Sequence, residues 1–159
     1  MIFIAVGTQK FPLDRLLRKV DELIVSGEIT QPVFAQIGHS AYRPQKYDYT
    51  DFLSSDEFSE RISQCDLLLT HSGVGTIITG IQNNKPTIVF PRLAKYAEHV
   101  DDHQLEIATA FAEKNLVLLC NDGDDLAELI GKAMQHNFSP YHSRRDKMIS
   151  TIKDYLDSV

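Results

Sequence analysis

Residues 70–76 read Thr70-His71-Ser72-Gly73-Val74-Gly75-Thr76, a pattern suited to holding the oxygens of an anion. Two glycines let the backbone approach a ligand closely and adopt positive φ. If a helix starts just beyond them, its free N–H groups and its dipole attract phosphate. Ser72 and Thr76 add hydroxyl donors and His71 a ring N–H. One glycine would read as a tight packing turn; two, flanked by Thr, His and Ser, favour phosphate. A second polar concentration runs from Pro91 to Gln104. His99 and His103 are spaced to share a helical face, which raises zinc. The metalloprotease pattern needs Glu directly after the first His, but Val100 stands there and no third ligand offers itself, so no metal is expected. The mixture of acceptors and donors at Glu98, His103 and Gln104 suits the hydroxyls of a sugar.

Competing nucleotide chemistries lack their residues. The first apolar run leads into Gly7-Thr8-Gln9-Lys10-Phe11-Pro12 rather than GxGxxG, and the second ends Gln36-Ile37-Gly38 without the acid that would hold an NAD ribose. No GxxxxGK[ST] occurs. The pattern therefore argues against NAD and P-loop chemistry, and no cofactor is expected.

These residues need a scaffold, and the hydrophobic pattern supplies one. Short solid runs at residues 2–6, 32–37, 66–70, 87–90 and 116–119 predict strands. Amphipathic spacing predicts a helix through Leu13, Leu16, Leu17, Val20, Leu23 and Ile24. Further helices are expected from a Ser54 or Ser55 cap to about Gln64, over about 74–83, over about 98–114, from an Asn121 or Asp122 cap to about His136, and over about 143–157. Residues 38–49, polar and aromatic without a period, read as loop. Strands alternating with helices predict an α/β, Rossmann-like doubly wound parallel sheet, with ligands beyond the carboxyl ends of the strands.

Length and charge narrow the function. The 159 residues suit a single domain, 1–159, and the net charge of −6 argues against nucleic acid as a partner. No apolar run is long enough to span a bilayer, and the opening residues lack the basic lead of a signal peptide. Cys65 and Cys120 each sit beside an apolar run and read as buried thiols, which points to the cytoplasm.

Taken together, residues 4–11, 70–76, Pro91-Arg92 and 98–104 resemble the C-terminal, donor-binding domain of the peptidoglycan N-acetylglucosaminyltransferases, glycosyltransferase family 28. The chain is similar above all to the short single-domain members, among them the catalytic subunit of the two-part dolichol-diphosphate enzyme and bacterial capsule and exopolysaccharide subunits. The resemblance runs from Met1 to about Leu119. It implies one half of a GT-B glycosyltransferase that takes a UDP-sugar as substrate. It further implies that Gly7, Thr8 and Gln9 lie near the diphosphate, that His71, Gly73, Gly75 and Thr76 bind phosphate, and that His103 and Gln104 hold sugar hydroxyls. Phe52 and Leu53 fall where the family reads uracil through backbone groups. Thr79 stands where relatives place a glutamate on the ribose, so Thr79 or another acid such as Glu98 would serve there.

The resemblance also implies inverting, metal-independent transfer to a lipid-diphosphate-linked sugar acceptor. A membrane-associated acceptor-binding subunit would hold the chain at the cytoplasmic membrane face; self-association is left open. In the helix expected at 143–157, the apolar stripe of Met148, Ile149, Ile152, Tyr155 and Leu156 fits packing on the chain's own sheet, the commoner outcome, or docking on that partner. No general base stands out: His39, in the loop after the second strand, is a candidate, but the ordinary loop histidine is the favoured reading, and the partner is the expected source. The alternative reading is a non-catalytic, UDP-sugar-binding accessory subunit.

Overall fold

A computed structural model of the chain describes residues 1–140. The helix expected over 143–157 lies outside them. The first apolar run is strand β1 (Ile2–Ala5), followed by α1 (Asp14–Val25), β2 (Val33–Gln36), β3 (Asp48–Thr50), α2 (Ser55–Gln64), β4 (Leu67–Thr70), α3 (Val74–Gln82), β5 (Thr87–Val89), α4 (His103–Glu113), β6 (Leu118–Leu119) and α5 (Leu126–Ala133). The six strands form one parallel sheet in the order β3-β2-β1-β4-β5-β6. Alternate residues of β1 feed opposite faces, as the period of a strand requires. Ile2 and Ile4 join the cluster under α1 and α5, and Phe3 and Ala5 the cluster under α2. A third cluster packs α3 and α4 on Val89 and Val117. Helices therefore cover both faces. Cys65 and Cys120 are buried free thiols.

Three elements depart from the sequence expectation. Strand β3 begins at the end of the stretch read as loop and runs one residue past it. It is an edge strand, Asp48-Tyr49-Thr50, mostly exposed, and so carries no apolar alternation to betray it. The loop before it is organised by buried Asp21, whose carboxylate accepts from the backbone N–H of Gln45 and Lys46 at 2.8 Å each. Helix α4 starts at His103 rather than near Glu98. A 3-10 turn at Ala94–Tyr96 ends on Ala97 with φ of 58°, and Glu98 is drawn back to accept from the Leu93 N–H at 3.1 Å. Helix α5 is capped by Asp125, which accepts from the Glu128 N–H; Asn121 belongs to a preceding turn closed by the Asp124 carboxylate.

The expected cap of α2 is present: Ser54 accepts from the N–H of Glu57. No helix of the described residues is long and apolar enough to cross a membrane.

Candidate functional site

The chain builds β1, β2 and β3 outward on one side, then returns to lay β4, β5 and β6 on the other. The reversal falls between β1 and β4, where a crevice must open at the carboxyl ends of the strands. Register brings the two following loops together: Ala5 pairs with Thr70. The Ala5 carbonyl accepts from both the His71 N–H at 3.2 Å and the Thr70 hydroxyl at 3.0 Å. Gly7 and His71 thus meet at the edge of a cleft of about 570 Å³ that both line.

The floor of the cleft is the start of α3. Its N-cap is Gly73, and no side chain caps the helix, so the first turn points uncompensated N–H groups into the cleft. Ser72 is 2% exposed, and its hydroxyl has no hydrogen-bond partner among the described residues. A buried hydroxyl without a partner costs about 1–3 kcal/mol, and here it lines a cleft at a helix N-terminus. Thr76 lines the same wall. Thr79 does too, but its hydroxyl donates back to the Gly75 carbonyl at 2.8 Å, leaving only its lone pairs for a ligand.

The glycines at Gly7 and Gly73 answer to one contact. A Cβ on either would sit 2.5 Å from Nε2 of the His71 ring, and Gly7 also has φ of +93°. His71 is buried, and its Nδ1 lies 2.9 Å from Nη1 of Arg92. Burial, and then the Arg92 charge, push His71 down to about 3 from its ordinary value, so the ring is neutral across the physiological range.

The far wall comes from α4. Gln104 is buried, and its Oε1 accepts from the Arg92 backbone N–H at 3.0 Å, which turns its NH2 group toward the cleft. His103 is bracketed by Asp101 at 3.3 Å and Glu106 at 3.2 Å. His99, paired with Asp101 at 3.1 Å, lies with its ring 4.5 Å from that of Phe11. Opposite, Gln36, Leu53, Ser55, Phe58 and Ser59 close the cleft, with Gln36 Oε1 accepting from the Leu53 N–H at 2.8 Å.

The structure therefore brings Gly7, Thr8, Gln9, Leu53, His71, Ser72, Gly73, Gly75, Thr76, Thr79, His103 and Gln104 to one cleft. It leaves three candidates outside. Glu98 is buried, paired with Arg15, and does not line the cleft. Phe52 is 47% exposed and packs its edge on His39, 5.2 Å between centroids; neither ring lines the cleft. Sequence reasoning missed Gln36, whose signal was a polar residue ending a buried strand. It also gave no role to Arg92, a long cation directly after Pro91 and an apolar strand.

The sequence model of the glycosyltransferase family 28 C-terminal domain matches residues 1–159. The UDP-N-acetylglucosamine–N-acetylmuramyl-(pentapeptide) pyrophosphoryl-undecaprenol N-acetylglucosamine transferase of Prochlorococcus marinus (strain MIT 9301) is 28% identical over 127 residues, 79% of this chain and 32% of that protein. The UDP-N-acetylglucosamine transferase subunit ALG13 of Candida albicans is 38% identical over 64 residues, 40% of this chain and 20% of that protein. The chain thus spans about a third or less of the length of these curated relatives. Among solved structures, the NMR solution structure of ALG13 is similar with a TM-score of 0.59 and 20% identity, covering 93% of this chain and 94% of that one. The crystal structure of Acinetobacter baumannii MurG gives a TM-score of 0.53 and 16% identity, covering 95% of this chain and 49% of that one. At such identities the likeness is one of fold, that of one Rossmann-like half of a GT-B glycosyltransferase.

Proposed function

The chain belongs to the glycosyltransferase family 28 C-terminal domains, and from that membership we propose that it is the donor-binding, catalytic subunit of a two-component UDP-sugar glycosyltransferase. The observation that carries the donor site is the Ser72 hydroxyl, buried and unpartnered at the uncapped N-terminus of α3. A diphosphate there would take the free N–H groups, the Ser72 and Thr76 hydroxyls and the His71 ring N–H. Uracil would lie toward Leu53 and Gln36, ribose by Thr79, and the sugar toward His103 and Gln104.

The reaction on this reading is inverting. An acceptor hydroxyl attacks the anomeric carbon as UDP departs, and the helix N-terminus stabilises the charge growing on the diphosphate without a metal. A lipid-diphosphate-linked acceptor, the membrane-associated subunit that presents it and the general base would come from the partner. The relatives' names support the donor and the division of labour: two are N-acetylglucosamine transferases, one of them called a subunit.

UDP at about a hundredfold over its Kd should add about 2.7 kcal/mol of stability, a rise of roughly 5–10 °C in melting temperature, and should do so in EDTA. A shift with NAD or ATP and none with UDP overturns the donor assignment. UDP release from several UDP-sugars, assayed after co-expression with the candidate partner, separates a catalytic subunit from an accessory one.

A further inference from the structure

We propose that Arg92 is a positioning residue that fixes His71 as the tautomer bearing its proton on Nε2, aimed into the phosphate end of the cleft. The chemistry of the pair leaves one arrangement. A guanidinium has only donors, so the ring nitrogen that faces it must accept. That nitrogen is Nδ1, 2.9 Å from Nη1 of Arg92. A neutral imidazole with a lone pair on Nδ1 carries its hydrogen on Nε2. The Nε2 edge lies in the gap between Gly7 and Gly73, where a Cβ on either would stand 2.5 Å away, and both glycines line the cleft. No acceptor among the described residues takes the Nε2 hydrogen.

Arg92 cannot swing away to release the ring. It is 1% exposed, and its Nη2 donates to the carbonyls of Val6 at 2.7 Å and Phe11 at 2.9 Å and its Nε to that of Pro12 at 3.1 Å. Those carbonyls flank the loop that carries Gly7, Thr8 and Gln9. One buried side chain thereby sets the orientation of His71 and the course of the facing loop without itself lining the cleft. Burial lowers Arg92 to about 10, with the Glu98 charge opposing, so it remains a cation at neutral pH. That charge, together with burial, keeps a second proton off His71. The outcome is a neutral donor of fixed direction with a positive charge behind it, which suits a diphosphate oxygen.

The ligand in this inference rests on the donor reading above, but the tautomer is measured in the free chain and stands apart from it. Long-range proton–nitrogen spectra of the full chain labelled with 15N-histidine, with His71→Asn assigning the signal, should show Nδ1 bare and Nε2 protonated from pH 5 to 8. Added UDP should then move the His71 Nε2 signal. Arg92→Met should let the ring exchange between tautomers and weaken UDP binding about tenfold. Nδ1 protonated, or a charged ring at pH 6, in the wild-type chain overturns the proposal, and so does an unchanged tautomer in a folded Arg92→Met. If that variant does not fold, the wild-type spectra decide alone. Absence of any UDP effect beside a bare Nδ1 sinks the donor reading and leaves the tautomer assignment standing.

Discussion

Arg15 closes its guanidinium on both oxygens of Glu98, Nε to Oε2 and Nη2 to Oε1, each at 2.9 Å, while its plane lies over the rings of Phe90 and Tyr96 at 4.4 and 4.6 Å. The Glu98 carboxylate also takes the Leu93 N–H, and Arg15 reaches the Pro91 carbonyl. The pair ties α1 to the segment that carries Arg92 into α4, and neither residue lines the cleft.

Glu98→Ala should therefore cost about 2–3 kcal/mol, because it strands a buried backbone N–H and leaves a partly buried arginine with only Asp122 at 3.8 Å and the Pro91 carbonyl. UDP affinity, measured well below the melting temperature, should change less than about twofold. Chemical denaturation and calorimetric titration check the two halves. A large loss of affinity with stability intact would return Glu98 to the ribose.

Two glycines of the same turn should respond in opposite ways. A Cβ on Gly73 would lie 2.5 Å from Nε2 and Cε1 of a ring that Arg92 holds from behind, so Gly73→Ala should destabilise by about 1–3 kcal/mol through overpacking. At Gly75 a Cβ meets nothing within 4 Å. Gly75→Ala should leave folding intact, or up to about 1 kcal/mol more stable from helix propensity. Its methyl group would nonetheless stand in the cleft, and UDP affinity should fall. Full UDP affinity in Gly75→Ala would mean that the diphosphate does not approach that turn.

Ser72→Ala tests the unpartnered hydroxyl by a difference of sign. In the free protein the change removes an unsatisfied group, so stability should hold or rise by about 1 kcal/mol. With UDP present the hydrogen bond is lost, and affinity should fall about fivefold to tenfold. A destabilised free variant would show that the hydroxyl already has a partner.

What was legible in the sequence followed from repetition and from chemistry held in adjacent residues. β1 and β4 are solid apolar runs, and the turn from Thr70 to Thr76 keeps its donors within seven positions, so strand, loop and helix start were readable together. β3 was not, since an exposed three-residue edge strand needs only backbone pairing with β2. The start of α4 was misread because Glu98 looks like a first-turn acid, whereas its partner Arg15 is 83 residues away. Gln36 and Arg92 escaped for the same reason: their partners, Leu53, His71 and the Val6 carbonyl, converge only once the sheet is assembled.

The neutrality of His71 sets a pH dependence whose sign is fixed. Burial first, and the Arg92 charge second, lower the folded-state value to about 3, while an unfolded histidine titrates near 6.5. Below pH 6.5 the unfolded chain therefore binds a proton that the folded chain refuses, and unfolding gains on acidification. The contribution is complete above about 6.5 and is lost as pH falls toward about 3, at up to about 1.4 kcal/mol per unit. Between pH 7.5 and 5.0 the wild-type chain should lose about 2 kcal/mol more than His71→Asn, since every contribution common to the two chains cancels. Urea denaturation at the two pH values measures the difference. Equal losses would show that His71 accepts a proton in the folded state and that its ring is not sealed between Arg92 and the two glycines.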